Sequence, residues 1–324
     1  MRPLVLVAAF VAISAVPHPV QGADAAYPSR PVRLIVTYVP GGGVDFVARA
    51  VAGRLTELWR QQVVVDNRGG GGGVVGTETA ARAAPDGYTL LVGTSAGLIA
   101  NPLLRNKLPY DAFRDFAPIT FLTITTQLLV VHPSLPVNSV KELIGYAKSQ
   151  PGKMSYGSAG IGAPNHLGME LFKSMTGTHL VHVPYKGSGL SIIDILAGQI
   201  QVMFNPAAPF LPHVNAGRIR AIAVGNDKRS RVVPHLPTVA EAGVPGFHNA
   251  PWNALYAPAK TPKSVINKLN ADVSHVLGED AFAQYLTANG AEPRASTPAE
   301  LTVFMRQENE QLRKVIAAAG IRGE

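Results

Sequence analysis

The sequence predicts an α/β fold, with parallel strands and helices packed on the faces of the sheet. Short apolar strands alternate with amphipathic helices through the first hundred residues, which is the pattern of a β-α-β-α-β unit. Glycine-rich turns follow three successive strands, and such turns meet at one edge of an open sheet, where these folds bind ligands. A second block beyond residue 130 repeats the plan without repeating the sequence. With 324 residues the chain has room for two domains.

The first strand, turn and helix lie in the stretch RLIVTYVPGGGVDFVAR, from Arg33 to Arg49. We predict a strand over Leu34 to Val39, because these residues are apolar and mostly β-branched or aromatic. The turn that follows contains Gly41–Gly43 and lets the backbone approach a ligand closely. Helical spacing from Val44 onward predicts a helix whose first amides lack internal partners and attract small anions. A turn that only ends the strand is the alternative.

Two further strands complete this unit. We predict them over Gln61 to Asp66 and Tyr88 to Val92, with a helix from Val74 to Ala84 between them. The first of these strands runs into five glycines, Gly69–Gly73, and the second into the turn Gly93–Gly97. Both turns add small residues to the same predicted sheet edge.

Both turns also match enzyme motifs. Gly71, Gly73 and Gly76 fit a dinucleotide-binding pattern, but the acidic residue expected about 20 positions later is absent, which argues against NAD. The turn Gly93–Gly97 fits the nucleophile elbow of a serine hydrolase, with Ser95 as the nucleophile. The order of residues along the chain would allow Asp194 or Asp227 as the acid and His235 or His248 as the base. Pro102 argues against the long helix that should follow a nucleophile, so a ligand-binding or capping hydroxyl is the preferred role for Ser95.

The second block gives the same signals. We predict strands over Leu128–Val131, Met154–Gly157, His179–Pro184, Val202–Asn205 and Ile219–Val224, and helices after Ser139, from about Asn165 and through Leu196. The region from Asn101 to Phe116 is predicted as loop. Proline-rich segments near 234–237 and 245–258 lead to late helices that begin at Thr261-Pro262 and at a capping box, Thr297–Glu300. Because no strand is predicted beside them, we expect these helices to return to the first domain, with crossings near residues 125–135 and 240–258.

Composition and the N-terminus indicate an exported protein. The chain has 47% hydrophobic and 15% charged residues, as soluble globular proteins do. Residues 1–25 have the form of a signal peptide, with Arg2, a short apolar stretch and a cleavage site near Ala25, so we expect the periplasm. The absence of cysteine excludes disulfides and thiol chemistry. The net charge of +8 is dispersed, and without a basic-aromatic cluster we expect no nucleic-acid partner.

Few side chains suggest metal or catalytic chemistry. His179 and His182 are three apart on a predicted strand, so their side chains point to opposite faces and a metal pair is not expected. His166 lies beside the small-residue turn after Ser158 and is the histidine that we expect to contact a ligand; a packing role is the alternative. Tyr185 and Lys186 offer a hydroxyl and a cation after a strand.

Several motifs together resemble one known family. In order from Tyr27 they are YPSRPVRLIVTYVPGGGVDFVAR, VVVDNRGGGGGVVG, APDGYTLLVGTSA, SYGSAGIGAPNHLGMELFK, VHVPYKGSG and LPTVAEAGVPGF. They resemble the Bug-type substrate-binding proteins of tripartite tricarboxylate transporters. This resemblance implies a periplasmic binding protein of type II, with two α/β domains, a hinge of two crossings and a ligand cleft between them. We assign residues 26–130 and 246–324 to domain 1, and residues 131–245 to domain 2.

The resemblance also implies a ligand and a site. Members of the family bind dicarboxylates, tricarboxylates, acidic amino acids or aromatic acids, held by the first glycine turn and by the small-residue turn opening the second domain. Carried over position by position, the ligand-binding residues are Gly41, Gly42, Gly43 and Asp45, with Ser158, Ala159, Gly160 and His166 opposite. To these we add Ser95, Ala96, Tyr185 and Asn205, which follow or end predicted strands. Val44 stands where Thr or Ser is common, and Asn205 where Asp is common. The neutral amide suits a ligand that lacks an amino group or has an extra carboxylate.

The function that we predict is capture of a small organic carboxylate for delivery to the membrane permease subunits of such a transporter. We expect a monomer without cofactor, metal or catalytic activity. A sensor that passes the signal to another protein would use the same cleft, and it remains an alternative. The other alternative, less favoured, is a serine esterase that uses Ser95.

Overall fold

The computed structural model of the protein describes residues 27–185 and 188–321, and it contains two sheets. The strands are β1 Val32–Val36, β2 Val63–Asn67, β3 Thr89–Thr94, β4 Phe116–Thr125, β5 Gln127–Val131, β6 Ser155–Ser158, β7 Val181–Pro184, β8 Val202–Pro206, β9 Arg220–Val224, β10 Trp252–Pro258 and β11 Ala291–Pro293. The helices are α1 Gly43–Trp59, α2 Val74–Ala81, α3 Asn101–Leu104, α4 Val140–Ser149, α5 Pro164–Thr176, α6 Ser188–Leu196, α7 Ala207–Asn215, α8 Lys263–Gly278, α9 Asp280–Ala288 and α10 Pro298–Ala318.

The first sheet has the strand order β11-β4-β10-β3-β1-β2. Its parallel part is β2-β1-β3, as the β-α-β-α-β pattern predicts, and β10 joins it antiparallel to β3. Strand β1 lies between β3 and β2 and is almost wholly buried, which explains its run of apolar residues without alternation. Helices α1 and α8 pack on one face, where Val51, Leu55 and Leu269 share a core with β1.

The second sheet has the order β7-β6-β8-β5-β9. Strands β7, β6 and β8 run parallel, and β5 pairs antiparallel with both β8 and β9. The Ser139 side chain caps α4 by accepting a hydrogen bond from the Glu142 amide, as the sequence pattern predicts. This mixed α/β arrangement of two sheets is the predicted fold class.

The chain passes between the sheets at two places and is braced beside them. Strand β4 of the first sheet ends at Thr125, and β5 of the second begins only two residues later. The return follows β9 and precedes β10. Beside these passages, the Glu292 carboxylate on β11 accepts hydrogen bonds from the Thr126 and Ser230 hydroxyls and from the Arg231 amide. Three donors from the connecting segments thus bind one acid of the first sheet.

Helix α10 packs against both units. Its capping box at Thr297 and Glu300 is present, as predicted, and Gly320 follows it with φ +62°. Leu301 and Met305 lie in a core of the first sheet, whereas Val315 packs in the core of the second. The helix therefore spans the two units on the side of the connecting segments.

Three strands of the structure were not predicted from the sequence. Strand β4 follows the predicted loop, β10 lies inside a segment predicted as proline-rich connection, and β11 is only three residues long. The prediction that no strand lies beside the late helices is therefore wrong, because α8 and α10 both pack on β4. Pro251 and Pro258 gave this segment the signal of a loop. They lie before β10 and at its end, where a proline does not interrupt a strand.

A second correction concerns the turn after β3. We predicted loop from Asn101, but a helical run extends from Ala96 through α3, with Pro102 in the first turn of α3, where proline is tolerated. The run ends at Leu104, two residues after Pro102, so it is shorter than the long helix that should follow a nucleophile. Ser95 makes no capping hydrogen bond. The Thr94 hydroxyl accepts the hydrogen bond of the Gly97 amide in its place, at 3.1 Å.

Gly76, the last glycine of the apparent dinucleotide motif, has a packing role that a substitution can test. A Cβ there would lie 2.8 Å from the Arg68 carbonyl oxygen and 2.9 Å from the Thr37 Cα, both backbone atoms. We expect Gly76→Ala to lower the free energy of unfolding by about 1–3 kcal/mol. The control is Gly53→Ala on α1, where a Cβ meets nothing within 4 Å and helix propensity predicts a gain of about 1 kcal/mol. Urea unfolding measures both, and an unaffected Gly76→Ala would contradict the close-packing role.

Candidate functional site

A cleft of about 360 Å³ lies between the two units, lined by residues from both. From the first unit come Gly43 and Val44 at the start of α1, and Ser95 and Ala96 after β3. From the second unit come the first residue of α5 and the first turn of α7: Pro164, Pro206 and Ala208. The remaining lining residues are Tyr38, Phe46, Val47, Thr94, Thr125, Pro251, Trp252, Asn253, Asn289, Gly290 and Ala291.

Only part of the predicted site lies on this cleft. Gly43, Ser95 and Ala96 line it. The other predicted residues are not among the lining residues: Gly41, Gly42, Asp45, Ser158, Ala159, Gly160, His166, Tyr185 and Asn205. Their contact with a ligand stays a prediction, and the bonds described below indicate what holds each of them in place.

The start of α1 offers unpartnered amides to the cleft. The cap residue Gly42 is extended, and no side chain bonds to the first turn. Helix geometry leaves the first amides of α1, including those of Gly43 and Val44, without a partner inside the helix. Together with the helix dipole, these donors make a site that favours an anion.

Asp45 holds this turn in shape. Its carboxylate accepts hydrogen bonds from the Gly41 amide at 2.9 Å, from Arg49 Nε at 3.0 Å and from Asn67 Nδ2 at 2.9 Å. Burial raises the pKa of Asp45, but the hydrogen bonds from Arg49, Gly41 and Asn67 outweigh it, so that the pKa falls below its ordinary value. The ionised carboxylate thus positions the glycine turn, and the Gly41 amide is already occupied.

The turn opening the second unit is tied by internal bonds. The Ala159 amide donates to Asn165 Oδ1 at 3.1 Å, and the Gly160 amide to the Ser158 hydroxyl, also at 3.1 Å. Asn205 is fully buried behind Asn165, whose Nδ2 lies 3.4 Å from Asn205 Oδ1. The amides of the turn itself are therefore engaged. The free donors on this side belong to the start of α5, whose cap residue has no side-chain bond.

His166 belongs to a buried aromatic stack. Its ring lies 4.1 Å from that of His182 between centroids, and the His182 ring lies 4.8 Å from that of Tyr156. His166 Nδ1 accepts the Gly162 amide at 3.1 Å, and His182 Nε2 bonds with the Ser158 hydroxyl at 2.7 Å. Both histidines thus support the turn before α5. His182 therefore packs against His166, a contact that could not be predicted because the two residues lie far apart in the sequence.

The stack makes the protein sensitive to acid. Burial, with a smaller effect from His182, lowers the pKa of His166 to about 4. The unfolded chain binds this proton near pH 6.5 and the folded chain only near pH 4, so stability is lost as the pH falls through this window. We expect His166→Asn, which can still accept the Gly162 amide, to flatten that loss in urea unfolding at pH 7, 5 and 4. The control is His235→Asn at an exposed site, which should lose stability as steeply as the wild type. An equally steep loss in His166→Asn would contradict this role.

Tyr185 is engaged outside the cleft lining. Its hydroxyl donates to Asp194 Oδ2 at 2.6 Å, and its amide donates to the Ser158 carbonyl. Burial, with added effects from Asp194, raises the pKa of Tyr185 to about 12, so its hydroxyl stays protonated. Lys186 lies outside the described residues.

A smaller cavity of about 30 Å³ adjoins the cleft on the side of the connecting segments. Ser95, Ala96, Pro164 and Pro251 line both spaces, and His248, Asn249 and Glu308 are among the residues that line only the smaller one. Ser95 and His248 thus share a cavity, but neither ring nitrogen of His248 has a hydrogen-bond partner among the described residues. A formed Ser–His pair, which a hydrolase would need, is not in place.

Neither metal-binding groups nor membrane helices add to this site. Within residues 27–185 and 188–321, no group of three or more His, Asp or Glu side chains is arranged to hold a metal ion. In the same part of the chain, no helix has the length and apolar character needed to cross a membrane.

Comparison with known proteins identifies the family. Residues 47–321 match the model of the tripartite tricarboxylate transporter family receptor, TctC. The chain belongs to this family. The TctC chain is 35% identical over 320 residues to the protein BugT of Bordetella pertussis, and the match covers 98% of each protein.

Two solved structures of Rhodopseudomonas palustris proteins resemble this TctC chain. The first, Rpa4515 with adipate, has 38% identity and a TM-score of 0.75, and covers 92% of this chain and 100% of its own. The second, MatC with bound malate, has 30% identity and a TM-score of 0.70, and covers 90% of this chain and 100% of its own. The Bug-type resemblance and the two-domain binding-protein fold are confirmed, and the family to which the chain belongs consists of receptors.

Several lining residues were missed by sequence reasoning. Trp252 and Asn253 belong to β10, and Asn289–Ala291 lead into β11, two strands that the sequence analysis did not predict. Thr94 was passed over in favour of Ser95, although both follow the apolar core of β3. Only the regular strand signal of residues 252–258, with its Trp and Tyr, could have indicated the first pair.

Proposed function

We propose that this chain captures a small organic carboxylate in the cleft and presents it to the membrane permease subunits of a tripartite tricarboxylate-type transporter. The observation that carries the proposal is the convergence of two helix starts on one cleft, which Gly43 and Val44 of α1 and Pro164 of α5 line. Pro164 has no N–H, so the donors at the start of α5 are the amides of the two residues after it. The organic acids in the titles of two related structures, adipate and malate, support the class of ligand.

The chemistry follows from the amides. A carboxylate placed between the two helix starts accepts hydrogen bonds from main-chain N–H groups and faces the positive ends of two dipoles. Such donors are already part of the folded protein, so the charge is stabilised without a buried counter-ion and its desolvation cost. We therefore propose that ligand recognition needs no ionised side chain.

We further propose that the two units are domains that close on the ligand, with residues 26–130 and 246–324 in one and 131–245 in the other. The ligand shifts the open–closed equilibrium by the amount that it binds the closed form more tightly. The protein acts as a monomer in the periplasm after removal of residues 1–25. The two-passage connection supports the domain closure, and the N-terminal sequence supports export.

A ligand screen tests the proposal. A ligand that binds only the folded state raises the midpoint of thermal unfolding. The mature chain is screened against organic acids, with the corresponding neutral amides as controls, and hits are measured by titration calorimetry. We expect saturable one-to-one binding of at least one acid and none of its amide. Binding of amides with equal affinity, or of no acid, would contradict the proposal.

Two alternatives have their own tests. A sensor differs from a transport receptor only in the partner that reads the closed form, so copurification with permease subunits, against a signalling protein, separates them. An esterase would hydrolyse esters through Ser95, and Ser95→Ala would abolish turnover. We expect no hydrolysis by the wild type, because His248 makes no hydrogen bond to the Ser95 hydroxyl.

A further inference from the structure

We infer that the cleft selects organic acids with hydrocarbon bodies and discriminates against an added carboxylate or ammonium group. The inference concerns the ligand class of the cleft described above, and it therefore rests on the proposed function. It is carried by the side chains that line the cleft and by the number of helix starts that face it.

The lining contains no charged side chain within the described residues. Ten of the lining residues are apolar: Val44, Phe46, Val47, Ala96, Pro164, Pro206, Ala208, Pro251, Trp252 and Ala291. The others are three glycine or serine positions and a few neutral polar side chains. An ammonium group would meet no carboxylate here, and a third carboxylate would meet no cation, so each would lose hydration without a charged partner.

Two amide side chains of the lining form bonds inside the protein. Asn253 Nδ2 donates to the Thr123 hydroxyl at 3.0 Å, and Asn289 Nδ2 donates to the Tyr285 carbonyl at 2.8 Å. Each keeps a second N–H and an oxygen for a neutral polar group, but neither carries a charge that could offset an ammonium group or a carboxylate. A hydrocarbon body, in contrast, gains by covering Val44 and Phe46, which are both half-buried in the absence of ligand.

The helix starts set the number of carboxylates. Helix α1 and helix α5 each begin at the cleft without a side-chain cap. Helix α7 also begins there, but the Ala207 amide donates to the Thr126 carbonyl and Pro209 has no N–H, which leaves only the Ala208 amide in its first turn. Helix α5 begins with Pro164, which has no N–H either, but the amides of Asn165 and His166 follow it without a partner inside the helix. Two helix starts with two or more available amides therefore remain, which accommodate a mono- or dicarboxylate and leave a third carboxylate uncompensated.

A series of acids that share one five-carbon diacid body tests the inference. Glutarate is the parent, glutamate adds an ammonium group and tricarballylate adds a carboxylate; benzoate is included as an aromatic monoacid. Titration calorimetry on the mature chain measures each affinity. We expect glutarate or benzoate to bind about tenfold or more tightly than each of the two substituted acids, given the cost of burying an unpaired charged group.

A charge placed in the lining localises the effect. Val44→Lys adds a cation at the start of α1 and should raise the tricarballylate-to-glutarate affinity ratio about tenfold or more. The control Val303→Lys adds the same charge on α10 at a side chain that is 54% exposed, and it should leave the ratio unchanged. Lys186→Met should also leave the ratio unchanged. If Val44→Lys impairs folding, the wild-type series alone still decides the ranking.

The outcomes separate the two levels of the proposal. Tighter binding of tricarballylate or glutamate than of glutarate and benzoate would overturn the inference while leaving carboxylate capture intact. A ratio that changes with Lys186→Met would overturn it as well, because a charged residue would then set the ranking. Failure of every carboxylate to bind would overturn both the inference and the proposed function.

Discussion

Replacing Gly43 with proline should weaken carboxylate binding by about 10- to 100-fold, because one amide hydrogen bond to a charged group contributes about 1.5–3 kcal/mol. The change removes a single N–H at the first position of α1, where proline is favoured in helices. The backbone accepts it: Gly42 is extended with ψ 171°, as a residue before proline should be, and a Cβ at Gly43 meets nothing within 4 Å.

Gly43→Ala is the matched control, because it adds the Cβ and keeps the N–H. We expect its affinity to stay within a few fold of the wild type, and we expect both variants to keep the wild-type unfolding midpoint without ligand. Titration calorimetry with the best-binding acid measures the affinities. Equal affinity of the proline and alanine variants would show that this amide does not bind the ligand.

The second large effect concerns the pH dependence of stability. Glu308 on α10 is half-buried beside the small cavity, and its carboxylate accepts a hydrogen bond from Trp252 Nε1 at 2.6 Å. Burial raises the pKa of Glu308 to about 7, and the Trp252 hydrogen bond lowers it only in part. The unfolded chain releases this proton near pH 4.5 and the folded chain near pH 7, so stability falls as the pH rises through this window.

Glu308→Gln removes this titration and keeps an oxygen for Trp252. Relative to the wild type, we expect it to raise the free energy of unfolding by about 2–3 kcal/mol at pH 8 and to change it little at pH 4.5. Glu310→Gln is the control, because Glu310 is exposed and pairs with Lys314 on the surface. Urea unfolding at several pH values measures the difference, and a gain that does not depend on pH would refute the titration of Glu308.

The fold could be predicted from sequence wherever local pattern and burial agree. Strand β1 is apolar throughout and buried, and α1 begins where the glycines end, so both were found within a few residues. Strand β10 was missed for a physical reason: its neighbours β3 and β4 are far away in sequence, and the prolines at its edges give a loop signal. Only tertiary pairing makes this segment a strand.

The site was predictable in part. The glycine turn before α1 reaches the cleft through Gly43, as its composition suggests, whereas the carboxylate of Asp45 is occupied by the turn that it supports. On the opposite side, the amides of Ala159 and Gly160 are engaged, and the free donors lie a few residues later in α5. Sequence indicates which turns approach a ligand, but the hydrogen-bond partners decide which amides stay available.

A crystal structure of the mature chain with glutarate or benzoate tests the central claim most directly. We expect a carboxylate in the cleft whose oxygens accept hydrogen bonds of about 2.9 Å from the first amides of α1. We also expect atoms of the second unit, at the start of α5, to contact the ligand from the opposite side. A carboxylate held by a charged side chain, or a ligand in contact with only one of the two units, would contradict it.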